Sequence, residues 1–529
     1  MNNRIVLAGL DGATFNLLIP FAEEGIIPNL KAMMDKGSWG SLMSTVPPLT
    51  CPAWGTLMTG KLPGKIGVFG FNDFTESGYN PPIVNSTHIK SRMFWEIAGD
   101  AGKRVAVVNY PQTYPPRKVN GAIISGFLTP RTATDYFYPE SLAGYLNDYP
   151  LDYPEPSPGG MESYLEVMEE ELKKRCAVME AMASREKWDL FMFCFQEPDQ
   201  MSHHLWSFFD ESFPGYHSPV GEKARAAARR MYSVMDETLG KIIDELQPDA
   251  VMAVSDHGTG PAGNYSFNLN KLLIDNKLLV SNRRRFHRII YRNGPGFLKK
   301  WLEEHHPNKV SVVDFSRSKA WCSSYRCGTA AIFINTRGRY VDGCVSPGEE
   351  YDNLVEDITE TLDNITHNGR KVIKKIFRRE EIYTGNFLDK APDITIALDR
   401  DYEIPNKFRN DIRATDVICP DPKRDELSGV HEPDGIFIIC GNPIKKSGRA
   451  AGENIESVAP TLMYLLGLSV PGDMDGSVML NVIEDSFRET NTPEVSTDTE
   501  CEAYNGSTRK TDEEDQRMIA EQLKGLGYF

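Results

Sequence analysis

Residues 47–67 read Pro-Pro-Leu-Thr-Cys-Pro-Ala-Trp-Gly-Thr-Leu-Met-Thr-Gly-Lys-Leu-Pro-Gly-Lys-Ile-Gly. The two prolines ahead of Thr50 disfavour helix, whereas Pro52 is tolerated in a first helical turn because its fixed φ suits the turn and its missing N–H had no partner there. The pattern predicts a helix start with Thr50 at or near the N-cap. Such a start presents unpaired N–H groups and a partial positive charge, a cradle for a phosphate or sulfate oxygen beside a hydroxyl. A threonine that only caps the helix is the competing reading, since Thr is a common cap.

Working outward, Ile5–Leu10 is an apolar run of strand length, and Asp11-Gly12 follows at its carboxyl end. Open α/β sheets collect ligand-binding residues at that edge. The arrangement recurs. The run Leu190–Phe195 is followed by Gln196-Glu-Pro-Asp199-Gln-Met-Ser-His203-His204, and Ala250–Val254 by Ser255-Asp256-His257-Gly258. Gly429-Val-His431 precedes a further apolar run, Ile436–Cys440, and Val105–Asn109 is another strand candidate. Helical periodicity marks Pro28–Lys36, Met161–Lys187, Lys223–Leu246 and Ser457–Leu466. His203 lies four residues after Asp199, so one helical turn would point both side chains the same way. Carboxylate and imidazole ligands of this kind suit zinc and, with more oxygen, manganese.

The length of 529 residues fits two or three domains, or one large α/β core carrying an insertion. Residues 1–263 read as the first part of the core, 264–420 as an inserted cap, 421–484 as the return of the core, and 485–529 as a polar, flexible linker with a last helix around Glu513–Leu523. Within the cap, Arg283, Arg284, Arg285, Arg288 and Arg292 are interleaved with Phe286 and Tyr291, a cluster able to meet an anionic substrate portion or merely to solvate a face. A formal charge of −16 argues against a general nucleic-acid binder, a DNA or RNA duplex included. The nine scattered cysteines point to a reduced, intracellular chain. The apolar runs are too short for a secretory or membrane-spanning segment, so a cytoplasmic location is expected.

With these motifs on the page, the chain resembles the alkaline phosphatase superfamily, in its type I phosphodiesterase/nucleotide pyrophosphatase branch. The resemblance rests on Asp11-Gly12, Thr50-x-Pro52 with Thr59-Gly60 and Pro63, Pro198-Asp199-x-x-x-His203, Asp256-His257-Gly258 and His431. It implies a three-layer α/β sandwich, a central mostly parallel sheet with helices on both faces, interrupted by a cap. It implies Thr50 as a nucleophile that forms a covalent phospho-threonine, and two divalent cations, zinc with manganese as the alternative. One ion would be held by Asp11, Thr50, Asp256 and His257, the other by Asp199, His203 and His431; His204 is left as a neighbour. The Cys51 N–H would add oxyanion stabilisation. The substrate implied is a small phosphate ester or a nucleotide-like molecule.

The sequence departs from its relatives in places. Sulfatases of the superfamily carry Cys or Ser at the nucleophile position and Arg four residues on, where this chain has Thr50 and Trp54. Nucleotide pyrophosphatases read Pro-Asn-His after the nucleophile, where this chain reads Pro52-Ala53-Trp54, and place a substrate-contacting Asn further on, near Asn72. The alternatives to diester or pyrophosphate hydrolysis are a phosphomonoesterase or phosphomutase on the same scaffold, and a silent anion-binding protein.

Overall fold

Strand β1 (Ile5–Leu10) is buried along its whole length, as a parallel strand covered on both faces must be. Its alternation feeds two cores. Ile5 and Leu7 join Trp54, Leu57, Leu462 and Ile519 on one face, while Val6, Ala8 and Leu10 join Leu17, Leu30, Leu172 and Met231 on the other. The result is a three-layer α/β sandwich. The computed structural model describes residues 3–74, 79, 81–151, 160–213, 215–281, 313–325, 327–405, 414–421, 427–497 and 512–525.

The remaining strands of the first half are β2 (Ser38–Met43), β3 (Val105–Tyr110), β4 (Gly121–Ser125), β5 (Phe137–Tyr138), β6 (Leu190–Phe195), β7 (Ala250–Val254) and β8 (Gly258–Pro261). The helices of that half are α1 (Phe15–Glu23), α2 (Pro28–Lys36), α3 (Thr50–Thr59), α4 (Pro63–Ile66), α5 (Phe94–Asp100), α6 (Gly160–Arg185), α7 (Glu197–Phe209) and α8 (Pro219–Leu246). The central sheet runs in the order Gly448–Arg449, β2, Asp434–Gly441, β7, β1, β6, β3, β4, β5. From β7 to β4 neighbouring strands are parallel, and Asp434–Gly441 runs antiparallel to both β2 and β7. In this register Gly9 stands between Cys194 and Val254. Asp11, Gln196 and Asp256 therefore leave three adjacent strands at one level.

A separate hydrophobic core lies between residues 267 and 404, with Phe267, Trp321, Ile332, Ile358, Ile394 and Ile396 among its members. It packs around an antiparallel sheet ordered Ala320–Tyr325, Thr329–Ile334, Ile394–Leu398, Ile373–Arg378. Helix Glu349–Asp363 buries Leu354, Val355, Ile358 and Leu362 against it. The cluster Arg283, Arg284, Arg285, Arg288 and Arg292 lies outside the described residues.

Within the stretch expected to be a flexible linker, Asp485–Thr490 is helical and Val495–Ser496 pairs in parallel with Val470–Pro471. The last helix, Glu513–Gly525, buries Ile519 and Leu523 in the first core. Gln516 of that helix accepts from the Ile83 N–H at 2.7 Å and donates to its carbonyl at 3.2 Å, in the manner of a strand neighbour. No helix among the described residues is long and apolar enough to cross a membrane.

Candidate active site

Five chain segments meet at the carboxyl edge of the sheet. Asp11 follows β1, its N–H donating to the Phe195 carbonyl at 2.9 Å. Asp256 and His257 form the turn between β7 and β8. Asp199 and His203 stand one turn apart on α7, as their spacing predicts. His431 arrives on strand Gly429–Glu432, which pairs antiparallel with β8 and sets His431 opposite Thr259. Its ring stacks on that of His257 with centroids 3.6 Å apart.

Thr50 occupies the first residue of α3, and the N-cap is Leu49, which forms no side-chain cap bond. The expectation of Thr50 at or near the cap is thus met one residue inside the helix. Its hydroxyl is fully buried and has no hydrogen-bond partner, so it caps nothing. Two bonds fix its surroundings. The Pro48 carbonyl accepts the Nδ1–H of His431 at 2.8 Å, and Trp54, one turn after Thr50, donates Nε1–H to Asp11 Oδ2 at 2.7 Å. Thr50 therefore lies in the chain between residues tied to two groups of ligand-type side chains, Pro48 to His431 and Trp54 to Asp11.

The first group is Asp11, Asp256 and His257, the second Asp199, His203 and His431; within each, the ligand-type atoms lie within 4.8 Å of one another. Each imidazole faces a main-chain carbonyl through Nδ1: His257 to Gly258 at 3.1 Å, His203 to Gly429 at 3.1 Å, and His431 to Pro48 at 2.8 Å. A carbonyl only accepts, so the proton sits on Nδ1 and the Nε2 lone pair turns inward. Those lone pairs converge on acidic oxygens. His257 Nε2 is 3.3 Å from Asp256 Oδ2 and 3.7 Å from Asp11 Oδ1. His203 Nε2 and His431 Nε2 are 3.1 Å apart and stand 3.4 and 3.2 Å from Asp199 Oδ1.

Asp11 Oδ1, Asp256 Oδ2 and His257 Nε2 are buried with no hydrogen-bond partner. Leaving such atoms unsatisfied is costly, and a divalent cation taking two carboxylates and an imidazole removes that cost. The donor set fits a metal ion. Burial, with the neighbouring charges of Asp256 and Asp199, pushes the Asp11 carboxyl well above its usual range. Burial and the Asp199 charge do the same to Asp256. Burial also opposes ionisation of Asp199, but with no cation bound His203 and His431, once protonated at Nε2, outweigh it and hold that carboxyl low. His257 and His431 are both held below the usual imidazole range, chiefly by burial.

Of the other expected site residues, Cys51 turns its side chain into the first core. Burial, then Asp11 and Asp256, pushes its thiol well above the usual value. What Cys51 offers the site is its N–H in the unpaired first turn of α3. Asn72 stands outside both groups, half-buried, with its amide donating to the Pro81 carbonyl at 3.1 Å. His204 packs edge-on against Tyr164, with ring centroids 5.5 Å apart.

Three further residues complete the site. Trp54 and Gln196 both donate to Asp11 Oδ2, at 2.7 and 2.6 Å, which leaves only Oδ1 to face the first group. The Gly12 N–H donates to Asp256 Oδ1 at 3.2 Å. Gly12 has φ +65°, and a Cβ there would stand 2.9 Å from the Cβ and Oδ1 of Asp199. Each has a signal in the sequence: Gly12 stands in the Asp11-Gly12 motif after β1. Gln196 directly follows a buried strand, and Trp54 shares a helix face with Thr50.

A large, mostly parallel sheet with helices on both faces, whose carboxyl edge carries two adjacent carboxylate–imidazole groups, defines a hydrolase scaffold of the alkaline phosphatase superfamily. Within it, the profile of the type I phosphodiesterase/nucleotide pyrophosphatase family matches residues 5–434, and the chain belongs to that family of phosphoryl hydrolases. Among solved structures, it is similar to phosphonoacetate hydrolase from Sinorhizobium meliloti 1021 in complex with phosphonoacetate. That match has 16% identity and a TM-score of 0.56, over 88% of this chain and 95% of the other. It is also similar to human ectonucleotide pyrophosphatase/phosphodiesterase 5, with 14% identity and a TM-score of 0.50, over 90% of this chain and 98% of the other. At these identities the likeness concerns the fold. A search of curated protein sequences gives no match.

Proposed function

We propose that the protein hydrolyses phosphodiester or pyrophosphate bonds with Thr50 as a covalent nucleophile. The observation that supports this reading is the buried, unpartnered Thr50 hydroxyl in a segment whose Pro48 is bonded to His431 and whose Trp54 is bonded to Asp11. Thr50 Oγ1 attacks phosphorus, the bond to the leaving oxygen breaks, and a phospho-threonine forms. Water then adds to phosphorus, the Oγ1–P bond breaks and Oγ1 regains a proton, so a diester and one water give an alcohol and a phosphate monoester, and a pyrophosphate and one water give two phosphates. Asp11, Asp256 and His257 would hold one divalent cation, next to Thr50, and Asp199, His203 and His431 the other. Bound there, zinc or manganese ions supply Lewis acidity that lowers the pKa of the hydroxyl and offsets charge on the phosphoryl oxygens.

The chain's own residues do the remainder. The three main-chain carbonyls keep each imidazole neutral at Nε2 and fixed in orientation. Trp54 and Gln196 hold Asp11 so that one oxygen faces inward. The N–H groups opening α3, that of Cys51 among them, point at developing negative charge.

The test is metal-reconstituted protein against monoesters, diesters, nucleotide pyrophosphates and phosphonates, with Thr50→Ala alongside. Diester or pyrophosphate turnover, abolished in Thr50→Ala, and a phosphorylated Thr50 peptide in quenched wild type are the expected results. A folded Thr50→Ala protein as fast as wild type on bis(p-nitrophenyl) phosphate would overturn the assignment. Preferred turnover of monoesters, or phosphate retained and moved within the substrate, would favour the phosphomonoesterase or phosphomutase reading.

A further inference from the structure

The nucleophile segment is gripped from outside the central sheet. Tyr383, which follows the short helix Arg379–Ile382, is 2% exposed and donates its hydroxyl hydrogen to the Val46 carbonyl at 2.6 Å. Its ring meets Phe69 edge-on, centroids 5.2 Å apart, and the two form a small cluster with Ala391. Val46 lies four residues before Thr50. A second contact lies on the far side of α3. The Phe387 N–H donates to the Gly64 carbonyl at 3.0 Å, and a Cβ at Gly64 would stand 2.3 Å from the Thr384 carbonyl oxygen. Residues 383–387 thus touch the polypeptide on both sides of the helix that Thr50 opens.

The loop ahead of Thr50 consequently has two of its carbonyls committed. Val46 accepts from Tyr383, and Pro48 accepts from His431. One tie comes from the cap and the other from the ligand groups. From this geometry we infer that Tyr383 is a positioning residue: through Val46 it sets where the Thr50 hydroxyl stands, so the region between residues 264 and 420 contributes to the chemical step. This rests on Thr50 being the nucleophile. Tyr383 bonds the Val46 carbonyl and packs on Phe69, so its effect belongs in turnover and not in metal binding. A buried hydrogen bond to a carbonyl is worth about a factor of ten, and a small misplacement of a nucleophile costs at least that much.

The experiment compares metal-loaded wild type, Tyr383→Phe, Gly64→Ala and, as a cap control, Val341→Ser, a residue 81% exposed. Tyr383→Phe keeps the ring against Phe69 and removes only the hydroxyl; thermal melts check that each variant is folded. The expected result is kcat lowered roughly tenfold in Tyr383→Phe, with KM and bound metal per chain unchanged. Amide hydrogen exchange over residues 46–51 should speed up. Gly64→Ala should reproduce the loss of kcat by displacing Thr384, and Val341→Ser should match wild type. Wild-type kcat together with wild-type exchange over 46–51 in Tyr383→Phe would overturn the inference. So would equal losses of kcat and bound metal. If the wild-type protein itself turns over no phosphoryl substrate, the nucleophile assignment fails, and the exchange measurement alone still decides whether Tyr383 holds the loop.

Discussion

Replacing Trp54 by Phe removes one bond whose loss can be followed to a single ligand group. The indole N–H gives Asp11 Oδ2 one of its two donors, at 2.7 Å, the other being Gln196 at 2.6 Å. Both partners are fully buried, so no water replaces the lost donor. A hydrogen bond to a buried carboxylate contributes about 1.5–3 kcal/mol. Loss of a group that orients a metal ligand typically weakens metal binding about 10- to 100-fold, which converts to about 1.4–2.8 kcal/mol. The two routes agree. The expected outcome is a 10- to 100-fold weaker ion at the Asp11, Asp256 and His257 group, with the Asp199, His203 and His431 group less affected because the lost donor belongs to Asp11. Removing a donor also raises the Asp11 carboxyl, already pushed up by burial and by Asp256 and Asp199. The deficit should therefore shrink as pH rises and protons compete less. Chelator-buffered zinc titrations with metal per chain by mass spectrometry read this directly. Two wild-type binding steps, or two steps weakened alike, would refute the reasoning.

Gly12→Ala places a Cβ at positive φ and 2.9 Å from Asp199; strain of about 1 kcal/mol plus displacement of that carboxylate should cost turnover more than stability, checked by kcat beside a thermal melt. Cys51 is fully buried with its thiol pushed up, so it should resist iodoacetamide in folded protein at pH 8 and react after denaturation, read by peptide mass spectrometry. In metal-free protein, His257 and His431 titrate below their unfolded value of about 6.5. The unfolded state therefore takes up those two protons first, and the imidazoles' contribution to stability should fall as pH drops from about 6.5, against the opposite contribution of the raised Asp11 and Asp256 carboxyls; urea unfolding of wild type beside His431→Gln across that window separates the two. Adding zinc at a hundredfold excess over its dissociation constant should raise stability by about 2.7 kcal/mol for each occupied site; no shift in the melt on adding ion or chelator would remove the metal assignment.

Much of the framework is legible in the chain because β1, β6 and β7 are unbroken apolar runs, and burial on both faces leaves no other composition for them. The residue types at their ends then announce the site. By contrast β2, reading Ser-Trp-Gly-Ser-Leu-Met, carries no such run, and its pairing with Asp434–Gly441 on one side and with Gly448–Arg449 and Glu453–Asn454 on the other makes it a strand. The orienting layer is equally silent in sequence. Pro48, Gly258 and Gly429 act through their carbonyls, which every residue has. Trp54 draws attention only as a departure from the arginine of sulfatases, and its role as a donor to Asp11 needs the helix and the strand in place together. The tie from Tyr383 to Val46 spans 337 positions, beyond any local pattern.

The pairing of Gly429–Glu432 with β8 gives the two ligand groups different birth times on the ribosome. Asp11, Asp256 and His257 are all made once residue 257 has been added, whereas Asp199 and His203 wait for His431, which is made 174 residues later (431 − 257). A nascent chain halted before residue 429 carries all three side chains of one group and only two of the other, so the complete constellation comes together late in synthesis.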